Sequence, residues 1–325
     1  MQVRTVRNWV IDAGGSCTTA LLDDGTRWRE GSVNPASVGD QAADHALLGL
    51  LRAIARRLGG GRSTGWLATA AVDADEPQRE LDRLARLAER SGLTGTLVIS
   101  RDIVPLLLAP PLGGRGVAVV CGTGSGFLAS DGIRPPASAG GCEYLGSDEG
   151  SAFALGLDGL RAAVRGADGR GTPTALGRAL AEHTGSPVPE LARRLATEPF
   201  PKAAVAALCA VVCRCWLDGD AVAARVVRTA LGELVRGVRA VRDAAGLTDG
   251  WSAALGGGVF HGCPAFAEAL RRRIVTELGA DRPPVVVDDP VRAVLAALRA
   301  HEHGPPASLA GRWVWQRPLG GGETR

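Results

Sequence analysis

Lysine is nearly absent from the sequence, and its absence excludes two common nucleotide-binding sites. The chain has 325 residues and 37 basic side chains, of which Lys202 is the single lysine. A P-loop requires a lysine directly after its second glycine. A protein kinase requires a lysine on a strand shortly after its glycine-rich loop. Because no lysine occupies either kind of position, both sites are excluded.

Long apolar runs and basic stripes are missing as well. No apolar run reaches the ~20 residues that a membrane span needs, and no basic stripe with interleaved aromatic residues points to nucleic acid. The net charge is only +3. The polar segment Met1–Asn8 leaves no room for the apolar core of a signal peptide. We therefore expect a cytoplasmic protein that binds neither membranes nor nucleic acid.

The cysteines and histidines show no metal-binding pattern. Seven cysteines are scattered along the chain, and the densest group, Cys209, Cys213 and Cys215, lies in an apolar helical stretch. No histidine lies near this group to complete a tetrahedral site. We expect buried free thiols in a reducing compartment. We expect the histidines of His301-Glu302-His303 to lie in a solvated tail.

A glycine-rich stretch, Cys121-Gly122-Thr123-Gly124-Ser125-Gly126, follows an apolar strand. A dinucleotide-binding fingerprint would need Gly-x-Gly-x-x-Gly opening a helix. Position 127 is Phe, and Asp131-Gly132 predicts a turn a few residues later, so that a second strand follows the glycines. A glycine and hydroxyl turn between two strands presents backbone N–H groups to an anion. We therefore predict a phosphate site at this turn.

The same arrangement opens the chain. An apolar strand ends at Asp12, the glycine and hydroxyl stretch 13–18 follows, and a return strand leads to the turn Asp24-Gly25. The second copy begins roughly a hundred residues later. This internal repeat predicts two similar lobes that each begin with a hairpin, with two turns that could bind one polyphosphate from opposite sides.

Hydrophobic periodicity and turn residues predict the remaining elements. Pro110-Pro111 ends a short helix, and Gly113-Gly114-Arg115 is the expected boundary between lobes 1–113 and 114–325, the second with a helical insertion at about 174–245. Ser147 or Asp148 is expected to cap the next helix. A Gly/Pro-rich tail from Gly304 is expected to be loosely ordered, although Trp313 and Trp315 suggest that part of it packs on the protein. The predicted strands are 7–11, 19–22, a short one toward 30, 65–72, 94–100, 117–121, 126–129, 251–255 and 285–287, and the predicted helices are 42–58, 76–91, 102–108, about 148–164, several in 174–245, and 291–300.

Together these motifs resemble the actin, Hsp70 and sugar-kinase superfamily. Within it, the sequence is similar to the group of N-acetylglucosamine kinases and BadF/BadG/BcrA/BcrD-type ATPases, over nearly the whole chain to about residue 300. The stretches that carry the resemblance are Cys121–Ser125, Gly140-Gly141, Gly146–Ser151, Asp168–Gly171, Gly256–Gly258 and, less closely, Asp12–Thr18. The resemblance implies an α/β fold of two actin-like (ribonuclease H-like) lobes with a nucleotide cleft between them.

The resemblance also implies roles for individual residues. Asp102 at a strand end would be the catalytic base, and Asp12 would orient Mg²⁺. The sugar acceptor would contact Asn34, Gly140, Gly141 and Asp148. ATP would contact Gly14, Gly15, Ser16 and Thr18 in the first turn, Gly122, Thr123, Gly124 and Ser125 in the second, and Gly256, Gly257 and Gly258 on the adenosine side. Helix capping by Asp102 or Asp148 and an Asx turn at Asp12 are the structural alternatives.

The activity implied is an ATP- and Mg²⁺-dependent transfer of the γ-phosphoryl group to a hydroxyl of an amino sugar such as N-acetylglucosamine or glucosamine, by a homodimer. Two alternatives stay open. One is an activator-type ATPase that drives electron transfer, although the cysteines do not form an obvious cluster-binding pair. The other is a regulator that has lost catalysis, because Ala13 and Cys17 replace a Gly and a Lys of the family pattern. The chain also lacks the family's Gly-Trp-Gly and carries an extra Ser147.

Overall fold

The computed structural model describes residues 8–72, 76–302, 309 and 312–320. The chain divides into two compact units. Within the described residues, the first unit takes in Met1–Arg115, Ser130–Pro136 and Asp289–Arg325, and the second takes in Gly116–Ala129 and Ala137–Asp288. No helix in the described ranges is both long and apolar enough to cross a membrane.

Strands and helices alternate along much of the chain. The strands are β1 (Asn8–Ala13), β2 (Cys17–Leu22), β3 (Arg27–Gly31), β4 (Arg62–Thr69), β5 (Thr94–Ser100), β6 (Gly116–Cys121), β7 (Ser125–Ser130), β8 (Ala137–Gly140), β9 (Ala253–Gly256), β10 (Val285–Val286) and β11 (Val314–Leu319). The helices are α1 (Pro35–Val38), α2 (Asp40–Leu58), α3 (Pro77–Arg90), α4 (Val104–Leu108), α5 (Glu143–Gly146), α6 (Ala152–Ala167), α7 (Leu176–Thr184), α8 (Val188–Thr197), α9 (Pro201–Ala207), α10 (Cys209–Leu217), α11 (Ala221–Ala245), α12 (Gly258–Gly262), α13 (Pro264–Leu278) and α14 (Pro290–Glu302).

The two sheets have the same topology. In the first unit the order is β11-β5-β4-β1-β2-β3, and in the second it is β10-β9-β6-β7-β8. Apart from β11, each strand of one sheet corresponds to the strand five places later in the other. In both sheets a central strand lies between the next strand of the chain and a parallel strand. Strand β1 lies between β2 and the parallel β4, and β6 lies between β7 and the parallel β9. The internal repeat predicted from the two glycine turns is confirmed.

Apolar side chains of each sheet pack against the helices of their own unit. In the first unit the core includes Trp9, Ile11 and Leu67 from the strands and Leu51 and Ile54 from α2. In the second unit the long helix α11 and the strands β6, β7 and β9 contribute to one continuous core. These cores fix the strands whose ends carry the candidate site residues.

The C-terminal segment departs from the expectation of a loosely ordered tail. Val314–Leu319 forms β11 and pairs antiparallel with β5 at the edge of the first sheet. Trp313 is buried, as its apolar ring suggests. His301 is also not in a solvated tail. Its ring lies edge-on to Trp66, 5.5 Å between centroids, and its Nε2 is 3.2 Å from the Gln316 Oε1. His303 lies outside the described residues.

The same segment changes the division into lobes. Predicted lobe 114–325 includes all of the C-terminal region, whereas Asp289–Arg325 clusters with the first unit. The physical reason is that α14 packs on β1, β2 and β4 and that β11 extends the first sheet. The first boundary, after Arg115, lies close to the predicted one. Five helices, α7–α11, occupy the predicted helical segment.

Helix starts differ from the predictions at two places. Ser151, and not Ser147 or Asp148, is the N-cap of α6, and its hydroxyl accepts a hydrogen bond from the Ala154 N–H at 3.2 Å. At α4 the N-cap is Ile103 rather than Asp102, because the first helical turn begins at Val104. Both aspartates are therefore not needed as caps. Strand β8 and helix α13 were not predicted, and residue 7 of the first predicted strand lies outside the described part.

Candidate active site

Two of the predicted carboxylates lie at one edge of the first sheet. Strands β1, β4 and β5 run parallel, and the register aligns Asp12 with Ala68 and Ala68 with Ser100. Asp102 follows the end of β5 by two residues. Because the carboxyl ends of parallel strands meet at one edge, Asp12 and Asp102 occupy the position where open α/β sheets bind their ligands.

The electrostatics of this edge are unusual. Burial is the largest cause that raises the pKa of the Asp12 carboxyl, and the negative charges of Asp102 and then Asp289 raise it further, from 3.8 to about 7. The two neighbouring negative charges add to the effect of burial on Asp12, because a buried site screens charges poorly. Perturbed carboxylates of this kind are typical of catalytic and metal-binding positions.

Asp289 was missed by the sequence analysis. It lies directly before α14, where its side chain forms ion pairs with Arg27 and, at 3.0 Å, with the Nε of Arg292. Its carbonyl accepts hydrogen bonds from the N–H groups of Arg292 and Ala293. The available signal was the pair Asp288-Asp289 before Pro290, which predicts the start of a helix. The local sequence does not show that this helix packs on β1.

The first glycine turn joins β1 to β2. The Gly14 N–H donates to the Cys17 carbonyl at 3.1 Å, which closes the turn tightly. Gly15 is partly exposed and Ser16 is exposed, as a phosphate-binding turn requires. Thr18 differs from the expectation, because it is fully buried and its Oγ1 has no hydrogen-bond partner among the described residues. The accessible part of the turn is therefore Gly14–Ser16.

Asn34 lies after β3 and is nearly buried. Its Oδ1 accepts a hydrogen bond from the Ala36 N–H at 3.0 Å and so caps α1. The capping bond fixes the orientation of the amide and occupies its acceptor. The amide NH₂ is the group that can donate to a ligand.

The second glycine turn rests on the start of α6. The N–H groups of Ala152 and Phe153 donate to the carbonyls of Gly122 and Thr123 at 2.9 and 3.2 Å, and the Gly122 N–H donates to the Gly124 carbonyl at 2.9 Å. In a trans peptide the N–H points opposite to the carbonyl of the preceding residue. The N–H groups of Thr123 and Gly124 therefore point away from α6, as binding of an anion requires.

Asp148 holds the end of this turn. Its Oδ1 accepts a hydrogen bond from the Ser125 N–H at 2.9 Å, and the Ser125 hydroxyl donates to the Glu149 carbonyl at 2.8 Å. Gly124 leaves no room beside it, since a Cβ there would lie 2.5 Å from that same Oδ1. Asp148 is 3% exposed, and its Oδ1 contacts the turn.

Replacing Gly124 by alanine is expected to disrupt this turn. The added methyl group would collide with the Asp148 carboxylate, which is fixed on its other side, so we expect a loss of about 1–3 kcal/mol in stability and weaker nucleotide binding. Thermal unfolding and ATP titration measure the two effects. Gly126→Ala is the matched control, since a Cβ there has nothing within 4 Å. Equal effects of the two substitutions would contradict the steric account.

The third glycine cluster lies beside the second turn. Gly256 ends β9 opposite Val120, and Gly257 has φ +117° and packs against the Cys121 carbonyl so closely that a side chain is excluded. Gly258 is exposed and begins α12. The structure thus brings the predicted adenosine-side glycines next to the predicted phosphate turn.

The predicted acceptor glycines begin a short segment that leads to Asp148. Gly140 and Gly141 both have positive φ values, 73° and 74°. They precede α5, whose Glu143 forms an ion pair with Lys202 at 2.6 Å. Lys202 also contacts Asp148, at 2.8 Å. In the sequence, Lys202 only helped to exclude a P-loop and a protein-kinase site. Its contact with Asp148 was not predicted, since 54 residues separate the two.

Potential metal ligands and thiols were also compared with the predictions from the sequence. Within residues 8–72, 76–302, 309 and 312–320, no three histidine, cysteine or acidic side chains are placed to hold a metal ion. All seven cysteines are free thiols, and five of them are buried. Burial raises the pKa of the Cys121 thiol well above its ordinary value. The predicted buried free thiols are confirmed for these five, and only Cys142 is exposed.

Known proteins resemble this chain in sequence and in fold. An N-acetylmuramic acid/N-acetylglucosamine kinase of Clostridium acetobutylicum is 27% identical over 176 residues, which are 54% of this chain and 56% of that protein. The match thus spans little more than half the length of this relative.

Two solved structures share the fold. A Porphyromonas gingivalis protein, described provisionally as an N-acetylglucosamine kinase, has a TM-score of 0.71 at 19% identity over 90% of this chain and 99% of its own. A Chromobacterium violaceum protein with the same provisional description has a TM-score of 0.63 at 23% identity, over 90% and 99%. These likenesses confirm the α/β fold of two actin-like lobes.

The sequence pattern of one family covers most of the chain. Residues 11–285 match the BadF/BadG/BcrA/BcrD ATPase family, a range that holds both glycine turns, the third glycine cluster and Asp12 and Asp102. The resemblance inferred from the motifs is confirmed, and this chain belongs to the BadF/BadG/BcrA/BcrD ATPase family.

Proposed function

We propose that the protein is an ATP-dependent kinase that transfers the γ-phosphoryl group to a hydroxyl of an amino sugar of the N-acetylglucosamine or glucosamine kind. The observation that carries this proposal is the pair Asp12 and Asp102 at one sheet edge, close enough that the charge of one raises the pKa of the other. The relative and the solved structures named as kinases support it.

Asp102 is the proposed general base. The acceptor O–H gives its proton to the Asp102 carboxylate, the acceptor oxygen forms a bond to the γ-phosphorus, and the bond to the β,γ-bridging oxygen breaks to release ADP. A strand-end carboxylate suits this role because its backbone is fixed by β5. Asp102 lies just before Ile103, the N-cap residue of α4.

Asp12 is the proposed partner of Mg²⁺. The residues fit this ion, because burial and the neighbouring charges of Asp102 and Asp289 raise the pKa of the Asp12 carboxyl, whose charged form a divalent cation would stabilise. Mg²⁺ is commonly held by one or two carboxylates with water and phosphate oxygens. The absence of a three-ligand protein cage among the described residues agrees with that mode. When bound, Mg²⁺ would neutralise charge on the transferring phosphoryl group.

The glycine turns are the proposed phosphate and adenosine contacts. In the first unit the Gly14 N–H is bonded to the Cys17 carbonyl, and the partly exposed Gly15 is the proposed source of a backbone N–H group. In the second unit the N–H groups of Thr123 and Gly124 point away from α6. Gly256–Gly258 is proposed to lie beside the adenosine. Asn34 and Gly140-Gly141 are the proposed acceptor contacts, with Asp148 acting mainly through the position of the turn. The homodimer and the cytoplasmic location stay predictions.

A panel of sugars and amino sugars tests the proposal. With ATP and Mg²⁺, ADP release should depend on the acceptor and be fastest with an N-acetylated or free amino sugar. Neutral hexoses without the amino group are the matched comparison. Hydrolysis of ATP that is independent of every acceptor, in a preparation that contains iron, would favour the activator type of ATPase instead.

A further inference from the structure

The single lysine of the chain lies between two carboxylates. The Lys202 Nζ is 2.8 Å from the Asp148 Oδ2 and 2.6 Å from the Glu143 Oε2. It lies 5.9 Å from the ring centroid of Tyr144, the only tyrosine. The lysine side chain is 15% exposed and that of Asp148 only 4%. Solvent therefore screens the bond to Asp148 much less than it screens surface ion pairs.

The backbone is strained at both of the carboxylates that contact Lys202. Glu143 has φ +60° and Asp148 has φ +70°, and no other non-glycine residue in the described part of the chain has a positive φ. A residue in this conformation persists only where its surroundings hold it in place. Both residues contact the same ammonium group, that of Lys202.

Each carboxylate belongs to a different part of the site. Glu143 lies in residues 140–146, which we define as the acceptor segment. Ser147 closes this segment into a compact loop, because its Oγ accepts from the Cys142 N–H at 2.8 Å and its N–H donates to the Glu143 carbonyl at 2.8 Å. The extra serine that departs from the family pattern thus joins the two ends of the loop 142–147 by hydrogen bonds.

Asp148 connects the lysine to the phosphate turn. Its Oδ2 meets Lys202, and its Oδ1 accepts from the Ser125 N–H at 2.9 Å. Burial opposes the charge of Lys202, but hydrogen bonds with Asp148 and Glu143 outweigh this cost, and the pKa of Lys202 is raised. The lysine therefore stays charged and keeps both contacts at neutral pH.

From this geometry we propose that Lys202 is a positioning residue that couples the acceptor segment to the phosphate turn. Glu143 and Asp148 are its two contacts, so that ordering of the turn by nucleotide also orders residues 140–146. The inference rests on the proposed function, since it assumes that nucleotide binds at residues 122–125. Beyond that function, the inference assigns the coupling between the acceptor segment and the phosphate turn to the side chain of Lys202.

Amide hydrogen exchange with and without the ATP analogue AMPPNP and Mg²⁺ tests the coupling directly. In the wild type, the analogue should slow exchange at both 122–125 and 140–146. In Lys202→Met, protection should persist at 122–125 and fall about tenfold at 140–146. Arg273→Met, which breaks an ion pair with Glu277 in the same unit, is the matched control and should behave as the wild type.

Two further variants separate coupling from folding. Removing Lys202 leaves the buried Asp148 charge unpaired, which could unfold the unit. Lys202→Met/Asp148→Asn removes that charge, and the Asn oxygen can still accept from Ser125, so the double variant should fold but still lack protection at 140–146. Lys202→Arg should retain part of the protection at 140–146. Full protection at 140–146 in the double variant would overturn the inference.

The affinity for the acceptor, measured with and without AMPPNP, provides a second test once an acceptor is known. In the wild type, AMPPNP should tighten acceptor binding about 5-fold or more, and this factor should approach 1 in the double variant. A purely structural lysine would lower the melting temperature and leave the factor unchanged, which contradicts the inference. If AMPPNP protects nothing at 122–125 in the wild type, the proposed function itself fails, and the coupling with it.

Discussion

Asp102→Asn is expected to lower kcat for phosphoryl transfer by ~10²–10⁴-fold, the range for loss of a general base. The asparagine has nearly the same shape, but its amide cannot take the acceptor proton. Because the substitution keeps the size and shape of the side chain, folding should change little, and the KM for ATP should stay near the wild-type value. Steady-state kinetics with the best acceptor, together with thermal unfolding, measure these effects.

Asp44→Asn is the matched control for Asp102→Asn. It also removes one negative charge from the first unit, but at a partly buried ion pair with Arg83 between the helices α2 and α3. Its turnover should match that of the wild type. Near-normal turnover in Asp102→Asn would show that another group accepts the proton, whereas a large loss in both variants would indicate a general charge effect.

Asp12→Asn is expected to stabilise the metal-free protein at pH 8 while it impairs phosphoryl transfer. The pKa of Asp12 is about 7 in the folded chain against an ordinary value of 3.8. Between these values the folded chain holds a proton that the unfolded chain has released, so stability falls as the pH rises toward 7. Above pH 7 the buried charge costs roughly 2–4 kcal/mol, which asparagine does not incur.

Thermal unfolding in EDTA at pH 5 and pH 8 measures this effect. The melting temperature of Asp12→Asn should exceed that of the wild type at pH 8, and the difference should be much smaller at pH 5, where the folded wild type holds its proton. A wild type that is the more stable protein at pH 8 without metal contradicts the raised pKa. A carboxylate that costs stability in the metal-free protein but is needed for turnover is the pattern of a functional site.

The repeat was predictable from the sequence because it depends on local chemistry. Two apolar strands each run into a glycine turn and return to an Asp-Gly turn, and each of these signals acts over a few residues. The five strands that correspond between the two sheets have the same order, which follows from that repeat. Asp12 and Asp102 were also predictable, since parallel strands present their ends at one edge.

Other parts depend on contacts that are distant in sequence. Strand β8 has the sequence Ala-Ser-Ala-Gly, with no β-branched or aromatic residue, and forms only because β7 offers it an edge. Strand β11 contains Pro318 and follows a Gly/Pro-rich stretch, and its partner lies more than 200 residues away on β5. Local propensity predicts neither strand, and pairing with an existing sheet determines both.

Asp289 and Lys202 show the same limitation in the candidate site. Asp289 acts on Asp12 because α14 packs on β1, and Lys202 reaches Asp148 because α9 packs on α6. From the sequence, a single basic residue on a short helix is predicted to be solvated unless the packing of that helix is known. The cap of α6 was misassigned for a related reason, since Asp148 is a good capping residue whose carboxylate is used by Ser125 instead.

A single-turnover reaction tests the central claim most directly. With enzyme in excess over γ-labelled ATP, Mg²⁺ and saturating N-acetylglucosamine or glucosamine, label should appear on the sugar in an amount equal to the ADP formed. The same reaction with Asp102→Asn should form both products far more slowly and still in equal amounts. Label released only as inorganic phosphate would contradict the account, because the chain would then be an ATPase and not a sugar kinase.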